Sequence, residues 1–178
     1  VLVNLEHRGA VGGDKTTGDG AGLLLQVPDR FLRAEAARLR FSLPPAGAYG
    51  VGTVFLPPEP TDAARCVGLI ERLARAEGLP VLGWRDVPVA PEHLGDFSRA
   101  TLPAIRQILI GRGSVAAEAL ERKLYLVRRL AEKEAAGWGE EVTRFFYVAS
   151  LSARTILYKG MLTGTQLLPF YPDLESPL

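Results

Sequence analysis

Gly18-Asp19-Gly20-Ala21-Gly22-Leu23-Leu24-Leu25-Gln26-Val27 is the stretch on which the fold reading turns. It closes a Gly-rich, polar segment, His7 to Gly22, with glycines at 9, 12, 13, 18, 20 and 22, and runs straight into an apolar row that stops at Pro28. Glycines at that density suit a long loop with backbone angles other residues avoid. The apolar row, Gly22 to Val27, reads as a buried strand. Loop followed by strand argues against a dinucleotide fingerprint, which needs a strand before the glycines, a helix after them and a third glycine where Leu23 stands. Gly13-Asp14-Lys15-Thr16 echoes a phosphate loop, but Asp14 sets a carboxylate where a phosphate would sit. Asp14 and Asp19 lack the alternating oxygen ligands of a calcium hand loop, which leaves them as solvated loop carboxylates.

Outward from that stretch, Pro28 opens a short helix to about Arg38. Tyr49 to Leu56, rich in β-branched and aromatic residues, reads as a strand. Thr61 is placed to cap a helix over Asp62 to Glu77, with Ala63, Cys66, Val67, Ile70, Leu73 and Ala74 on one stripe and Gly78 as its end. Val81 to Val89 and Ile105 to Ile110 read as strands; Pro91 to Ala100 between them is too broken to assign. Ser114 to Lys133 carries the clearest helical period, with Leu120, Leu124, Val127, Leu130 and Ala131 on one face and Gly137 and Gly139 closing it around Trp138. Phe145 to Leu151 and Thr155 to Tyr158 look like a hairpin turned through Ser152, Ala153 and Arg154. Thr163 to Phe170 reads as one or two helical turns. Strands and helices interleaved with antiparallel signals point to α+β, as one domain over 1–178.

The 178 residues are 47% hydrophobic and 23% charged, with 21 Lys and Arg against 20 Asp and Glu. That balance gives no basic face for nucleic acid or an anionic membrane. The longest apolar row is far too short for a membrane span, and one cysteine with two distant histidines makes neither a disulfide framework nor a zinc site of usual spacing. No metal is expected, and the chain reads as soluble and cytoplasmic. Cys66, on a helical stripe, is read as a small buried hydrophobe, and His93, beside Pro91 and Gly95, as solvent-facing. Trp84, Arg85 and Asp86, and Arg106 with Gln107, fit packing and surface ion pairs equally well. His7-Arg8-Gly9 can set a bidentate donor beside a closely approaching backbone, or form a surface turn.

Motif content goes further than composition. Leu5-Glu6-His7-Arg8-Gly9-Ala10 and Thr17-Gly18-Asp19-Gly20-Ala21-Gly22-Leu23-Leu24-Leu25-Gln26-Val27-Pro28 closely resemble the glutamine amidotransferase domain of the large subunit of glutamate synthase, a class II, N-terminal-nucleophile type. The resemblance continues in order through Tyr49 to Pro57, Leu82-Gly83-Trp84-Arg85-Asp86-Val87-Pro88-Val89, Pro103-Ala104-Ile105-Arg106-Gln107, Glu121-Arg122-Lys123-Leu124-Tyr125, and Ser150 to Leu162.

The resemblance implies a four-layer αββα sandwich and the hydrolysis of glutamine to glutamate and ammonia for glutamate synthesis. It implies a nucleophilic N-terminal cysteine whose own α-amino group is the base, with a pKa of about 7.7–8.0 for a free amine. In the family that cysteine lies upstream of the His-Arg-Gly motif, where Val1 already stands, and the Asn-Gly oxyanion pair and substrate-clamping arginine follow the Tyr158-Lys159-Gly160-Met161-Leu162 segment. The expectation is an internal section with no catalytic residue of its own, inactive as an isolated chain; Cys66 matches no family segment. The alternative is a stand-alone, non-catalytic binding or assembly module of the same fold. Arg8 and Gly9, then Asp19 and Gly20, are expected to line the inherited substrate pocket, with Arg8 bracing the loop through backbone carbonyls as the competing role. No cofactor is expected in this chain, since the flavin and iron–sulfur cluster belong to other domains of the resembled enzyme. The expected partners are the remaining glutamate synthase polypeptide, or a second copy through the unblunted strand edge at Leu23 to Val27, most simply as a homodimer; glutamine binds only if the domain is completed.

Overall fold

Pro28 separates the first strand from the first helix, and prolines and glycines punctuate the chain from there onward. The computed structural model describes residues 18–177. In chain order these form β1 (Ala21–Gln26), α1 (Asp29–Arg38), β2 (Tyr49–Leu56), α2 (Pro60–Ala76), β3 (Val81–Asp86), α3 (Asp96–Ala100), β4 (Ala104–Gly111), α4 (Ala117–Ala135), α5 (Glu140–Thr143), β5 (Tyr147–Ser152), β6 (Thr155–Gly160) and α6 (Leu167–Phe170). The fold is mixed α+β. Its strands form a four-stranded sheet in the order β3-β4-β2-β5, antiparallel throughout, and a separate ribbon of β1 and β6.

Contacts group the described residues into two units: 18–24, 87–102 and 157–177 in the first, 25–86 and 103–156 in the second. The second unit holds the four-stranded sheet. In β2, Gly50 faces Leu124 of α4 while its neighbour Tyr49 turns to the other side and donates to Asp29 of α1. Period two then sends Val54 and Leu56, with Ile108 and Ile110 of β4, into a core built with α2 and α4. From α2 come Cys66, Leu69, Ile70, Leu73 and Ala74; from α4 come Leu120, Leu124, Val127, Ala131 and Ala135. Arg72 reaches Glu134 at 2.6 Å and Arg65 stacks over Trp138 at 3.7 Å, tying the outer rims of the two helices. On the opposite face lies α1, which buries Phe31, Leu32 and Ala36.

The first unit is organised by aromatics. Tyr171 packs edge-on against Tyr158 and Phe170, at centroid distances of 5.1 and 4.6 Å, and its hydroxyl donates to the Lys159 carbonyl at 2.7 Å. Ser98 Oγ donates to the Met161 carbonyl, and the Ala90 amide to that of Phe170, so α3 and α6 close on the end of β6.

Several sequence expectations change. The strand at Leu23 to Val27 exists but is not buried: along β1 half-buried and exposed residues alternate, and Leu24 is 61% exposed. In a two-stranded ribbon every second side chain faces outward whatever its chemistry. Val27 donates to the Arg154 carbonyl and Gly22 lies against Tyr158 and Lys159, so β1 runs antiparallel to β6. The expected hairpin of β5 and β6 does not form. β5 pairs with β2 and β6 with β1, and Ser152 to Arg154 is a corner at which the chain leaves one sheet for the other. The cap of α2 is Glu59, whose carboxylate accepts from the Asp62 amide at 2.9 Å; Thr61 lies inside the first turn. β3 ends at Asp86, because Val87 precedes Pro88 and loses its ladder. The unassigned Pro91 to Ala100 holds a short 3-10 turn, Pro91–His93, and α3.

Leu124, fully buried under Gly50, and its neighbour Tyr125, 61% exposed, separate packing from helix propensity on one element. Leu124→Ala is expected to cost about 2–5 kcal/mol in urea unfolding, and Tyr125→Ala no more than about 0.5 kcal/mol. Equal losses would place α4 elsewhere than on the sheet.

Candidate functional site

Of the four residues expected to line a pocket, Arg8 and Gly9 lie outside the described residues. Asp19 and Gly20 are exposed, where the chain enters β1. Gly20 has φ +135, a region that favours glycine. A Cβ on Gly18 would collide with the Leu162 carbonyl oxygen, so glycine there is required by direct backbone contact with the segment after β6. Two of the glycines that make this loop distinctive are thus accounted for locally, one by close approach and one by backbone angle.

Cys66 is fully buried in α2, and burial first, with Asp62 adding, pushes its thiol up to about 11. A raised thiol pKa in an apolar setting is the opposite of the lowered pKa that marks reactive cysteines. His93 is exposed, and its carbonyl accepts from Gln166 Nε2 at 2.9 Å. Among the described residues no three His, Cys, Asp or Glu side chains gather as metal ligands.

The polar feature that sequence reading left undivided is a row across the four-stranded sheet. Registers place Arg85 of β3 opposite Gln107 of β4, Gln107 opposite Thr53 of β2, and Thr53 opposite Ser150 of β5. All four are buried, Arg85 to 2%. Arg85 donates through Nη1 to Gln107 Oε1 at 2.7 Å and through Nη2 to Glu35 Oε2 at 3.1 Å, and its guanidinium lies over the Phe31 ring. The Thr53 amide reaches Ser150 Oγ at 3.4 Å. Among the described residues, Thr53 Oγ1 and Gln107 Nε2, both inside this row, have no hydrogen-bond partner. Arg106, by contrast, points to the other side and pairs with Asp86 at 2.8 Å, over the Trp84 ring. Period two separates Arg85 from Trp84 and Asp86 in the sequence, but strand register alone brings Arg85 to Gln107.

Two carboxylates of α1 respond to these arginines. Arg33 chiefly, with the Tyr49 hydroxyl, holds Asp29 below the usual carboxylate range; Arg38 chiefly, with Arg85 adding, does the same for Glu35, each against a smaller upward push from burial. Tyr49 itself is pushed well above the usual phenol range by burial and by Asp29.

The family model for class-II glutamine amidotransferases matches residues 1–178. The chain belongs to the class-II glutamine amidotransferases. It is 44% identical over 178 residues to the glutamate synthase (NADPH) large chain of Bacillus subtilis, covering 99% of this chain and 11% of that protein. It is 42% identical over 170 residues to the glutamate synthase (NADPH) large chain of Azospirillum brasilense, covering 94% of this chain and 11% of that protein. It is 40% identical over 179 residues to ferredoxin-dependent glutamate synthase 1 of Arabidopsis thaliana, with 98% and 11% covered. The chain thus spans about a ninth of the length of these relatives. All four residues of its polar row fall in segments by which the sequence resembles them: Thr53 in Tyr49 to Pro57, Arg85 in Leu82 to Val89, Gln107 in Pro103 to Gln107 and Ser150 in Ser150 to Leu162.

Two tests follow from the row and its neighbours. Thr53→Val replaces a hydroxyl with no partner among the described residues by a methyl of the same shape, so urea unfolding of the 178-residue polypeptide is expected to show no loss, or a gain of up to about 1 kcal/mol. A clear loss would reveal a partner for Thr53 Oγ1. Because Asp29 and Glu35 titrate lower when folded than unfolded, the folded state binds fewer protons in acid. Their contribution is complete above the unfolded carboxyl pKa of about 4 and is lost as pH falls through the folded values. Asp29→Asn with Glu35→Gln is expected to flatten the fall in stability below about pH 5, followed by urea midpoints across that range.

Proposed function

We propose that these residues are part of a glutaminase domain that hydrolyses glutamine to glutamate and ammonia, the ammonia serving glutamate synthesis. The match to the class-II amidotransferase family along residues 1–178, with glutamate synthases as relatives, carries this reading. The four-stranded sheet with α2 and α4 on one face is assigned to one half of a four-layer αββα sandwich. On the other face, beside α1, Thr53 Oγ1 and Gln107 Nε2 are buried without a hydrogen-bond partner among the described residues, which supports further cover there beyond α1.

In this reading the reaction proceeds by attack of a cysteine thiol on the glutamine carboxamide carbon. The proton of that thiol passes to an amine base, ammonia leaves, and water releases glutamate from the thioester. The nucleophile is not among the 178 residues, because their single cysteine is Cys66, buried and with a raised thiol pKa. Arg8 and Gly9, then Asp19 and Gly20, are the residues this reading assigns to the lining of the substrate pocket. Flavin and iron–sulfur chemistry is assigned to other parts of the glutamate synthase polypeptide, which is also the partner assigned to the exposed edge of the β1–β6 ribbon; a second copy of this chain is the other candidate. Among the described residues no helix is long and apolar enough to cross a membrane, and the setting assigned is the cytoplasm.

Ammonia release from glutamine tests the reading in two forms of the protein. The 178-residue polypeptide is expected to give none above background. The full polypeptide encoded with it is expected to turn over, and its rate to stay within about twofold in Cys66→Ala, since that thiol is a packing group. Loss of turnover in Cys66→Ala with unchanged unfolding behaviour would make Cys66 the nucleophile. A full polypeptide without glutaminase activity would leave the non-catalytic module as the function.

A further inference from the structure

The second unit carries a groove of about 430 Å³ where β1 hands over to α1 and the β5–β6 corner passes the start of β2. Its walls include Gln26, Asp29, Gly47, Tyr49, Arg154 and Thr155. The acidic side of the groove is already satisfied. Asp29 accepts from the Tyr49 hydroxyl at 2.9 Å and from Arg33 Nη2 and Nε at 2.9 and 3.2 Å, and Arg33 also donates to the carbonyls of Leu43 and Pro44. That acid and base cancel.

The opposite side is different. The Arg154 backbone is held at both ends: its amide donates to Ser152 Oγ at 3.0 Å and its carbonyl accepts from the Val27 amide at 3.0 Å. Ser152 Oγ is fixed in turn by Glu121 at 2.5 Å, and Glu121 also accepts from the Ala153 amide at 2.9 Å. Yet, among the described residues, the Arg154 guanidinium has no counter-ion and no hydrogen-bond acceptor, and the side chains of Gln26 and Thr155 beside it are equally unengaged. A rigid corner therefore presents one uncompensated guanidinium, an amide and a hydroxyl to a concavity whose other charges are neutralised.

We propose that this groove binds a small organic acid, with its carboxylate on the Arg154 guanidinium. The planar fork of arginine matches the two oxygens of a carboxylate, and such charge-assisted pairs are shorter and about twice as strong as neutral hydrogen bonds. Gln26 and Thr155 supply further donors to the same group. The volume lies within the roughly 300–1,000 Å³ of small-molecule sites, toward the lower end, which favours a ligand of few atoms over a macromolecule. The inference rests on the groove alone and stands whether or not the glutaminase reading does.

Hydrogen exchange read by mass spectrometry on the full polypeptide gives a local answer. Succinate is the probe, and its neutral diamide, succinamide, the control. Succinate is expected to slow exchange several-fold in peptides covering 26–29, 46–49 and 153–155, with succinamide leaving them unchanged. Arg154→Gln is expected to weaken that protection about tenfold, equivalent to about 1.4 kcal/mol, Arg154→Lys to retain part of it, and Arg30→Gln, exposed on α1 outside the groove, to retain all of it. Exchange in α2 and α4 reports whether each variant is folded; if Arg154→Gln is not, Thr155→Val serves in its place with a smaller loss expected. Equal protection by succinamide, no protection at saturating succinate, or undiminished protection in folded Arg154→Gln would each overturn the proposal.

Discussion

β2 is hydrogen-bonded on both edges, to β4 and to β5, and is covered on both faces, so its register determines what every neighbouring element meets. Gly50 and Gly52 lie close under Leu124 and Leu151, and a side chain at Gly52 would meet the Ser150 carbonyl at 2.9 Å. A shift of one residue would exchange Val54 and Leu56 for Thr53 and Phe55 in the core with α2 and α4. It would also break the line that sets Thr53 between Gln107 and Ser150. The apolar core and the buried polar row are two consequences of one pairing.

The row explains why α1 is anchored where it is. Arg85, buried in the sheet, needs an acceptor of opposite charge, and Glu35 supplies it from the helix. Desolvating a guanidinium costs several kcal/mol unless it is paired and hydrogen-bonded, so α1 is held by an electrostatic requirement as well as by Phe31, Leu32 and Ala36. Its other end is tied by Asp29, through Tyr49 and Arg33, to the first residue of β2 and to the Leu43–Pro44 carbonyls. Polar groups thus fix the helix at both ends and apolar groups fill the span between them.

At the β5–β6 corner, three residues decide which sheet the chain enters. Ser152 accepts from the amides of Arg154 and Thr155, and Glu121 on α4 holds both Ser152 and the Ala153 amide. A local reading of two short strands with a polar turn favours a hairpin, because hairpins are the commonest local solution. The corner is stabilised by a residue about 30 positions away, and no local pattern carries that information.

Local chemistry in the sequence was sufficient for the strand at Tyr49 to Leu56, the stripes of α2 and α4, the stop at Pro28, the burial of Cys66 and the α+β class, because each rests on periodicity or on a backbone restriction inside a few residues. The family motifs, too, were legible residue by residue. Tertiary structure alone decided that Leu24 is exposed, that β5 and β6 part company, that Arg85 is buried while Arg106 is not, and that Arg154 faces a groove beside Gln26 and Thr155. Each of these depends on which strand lies beside which and in what register. That choice is made by contacts between residues far apart in the chain, whose energies no local window contains.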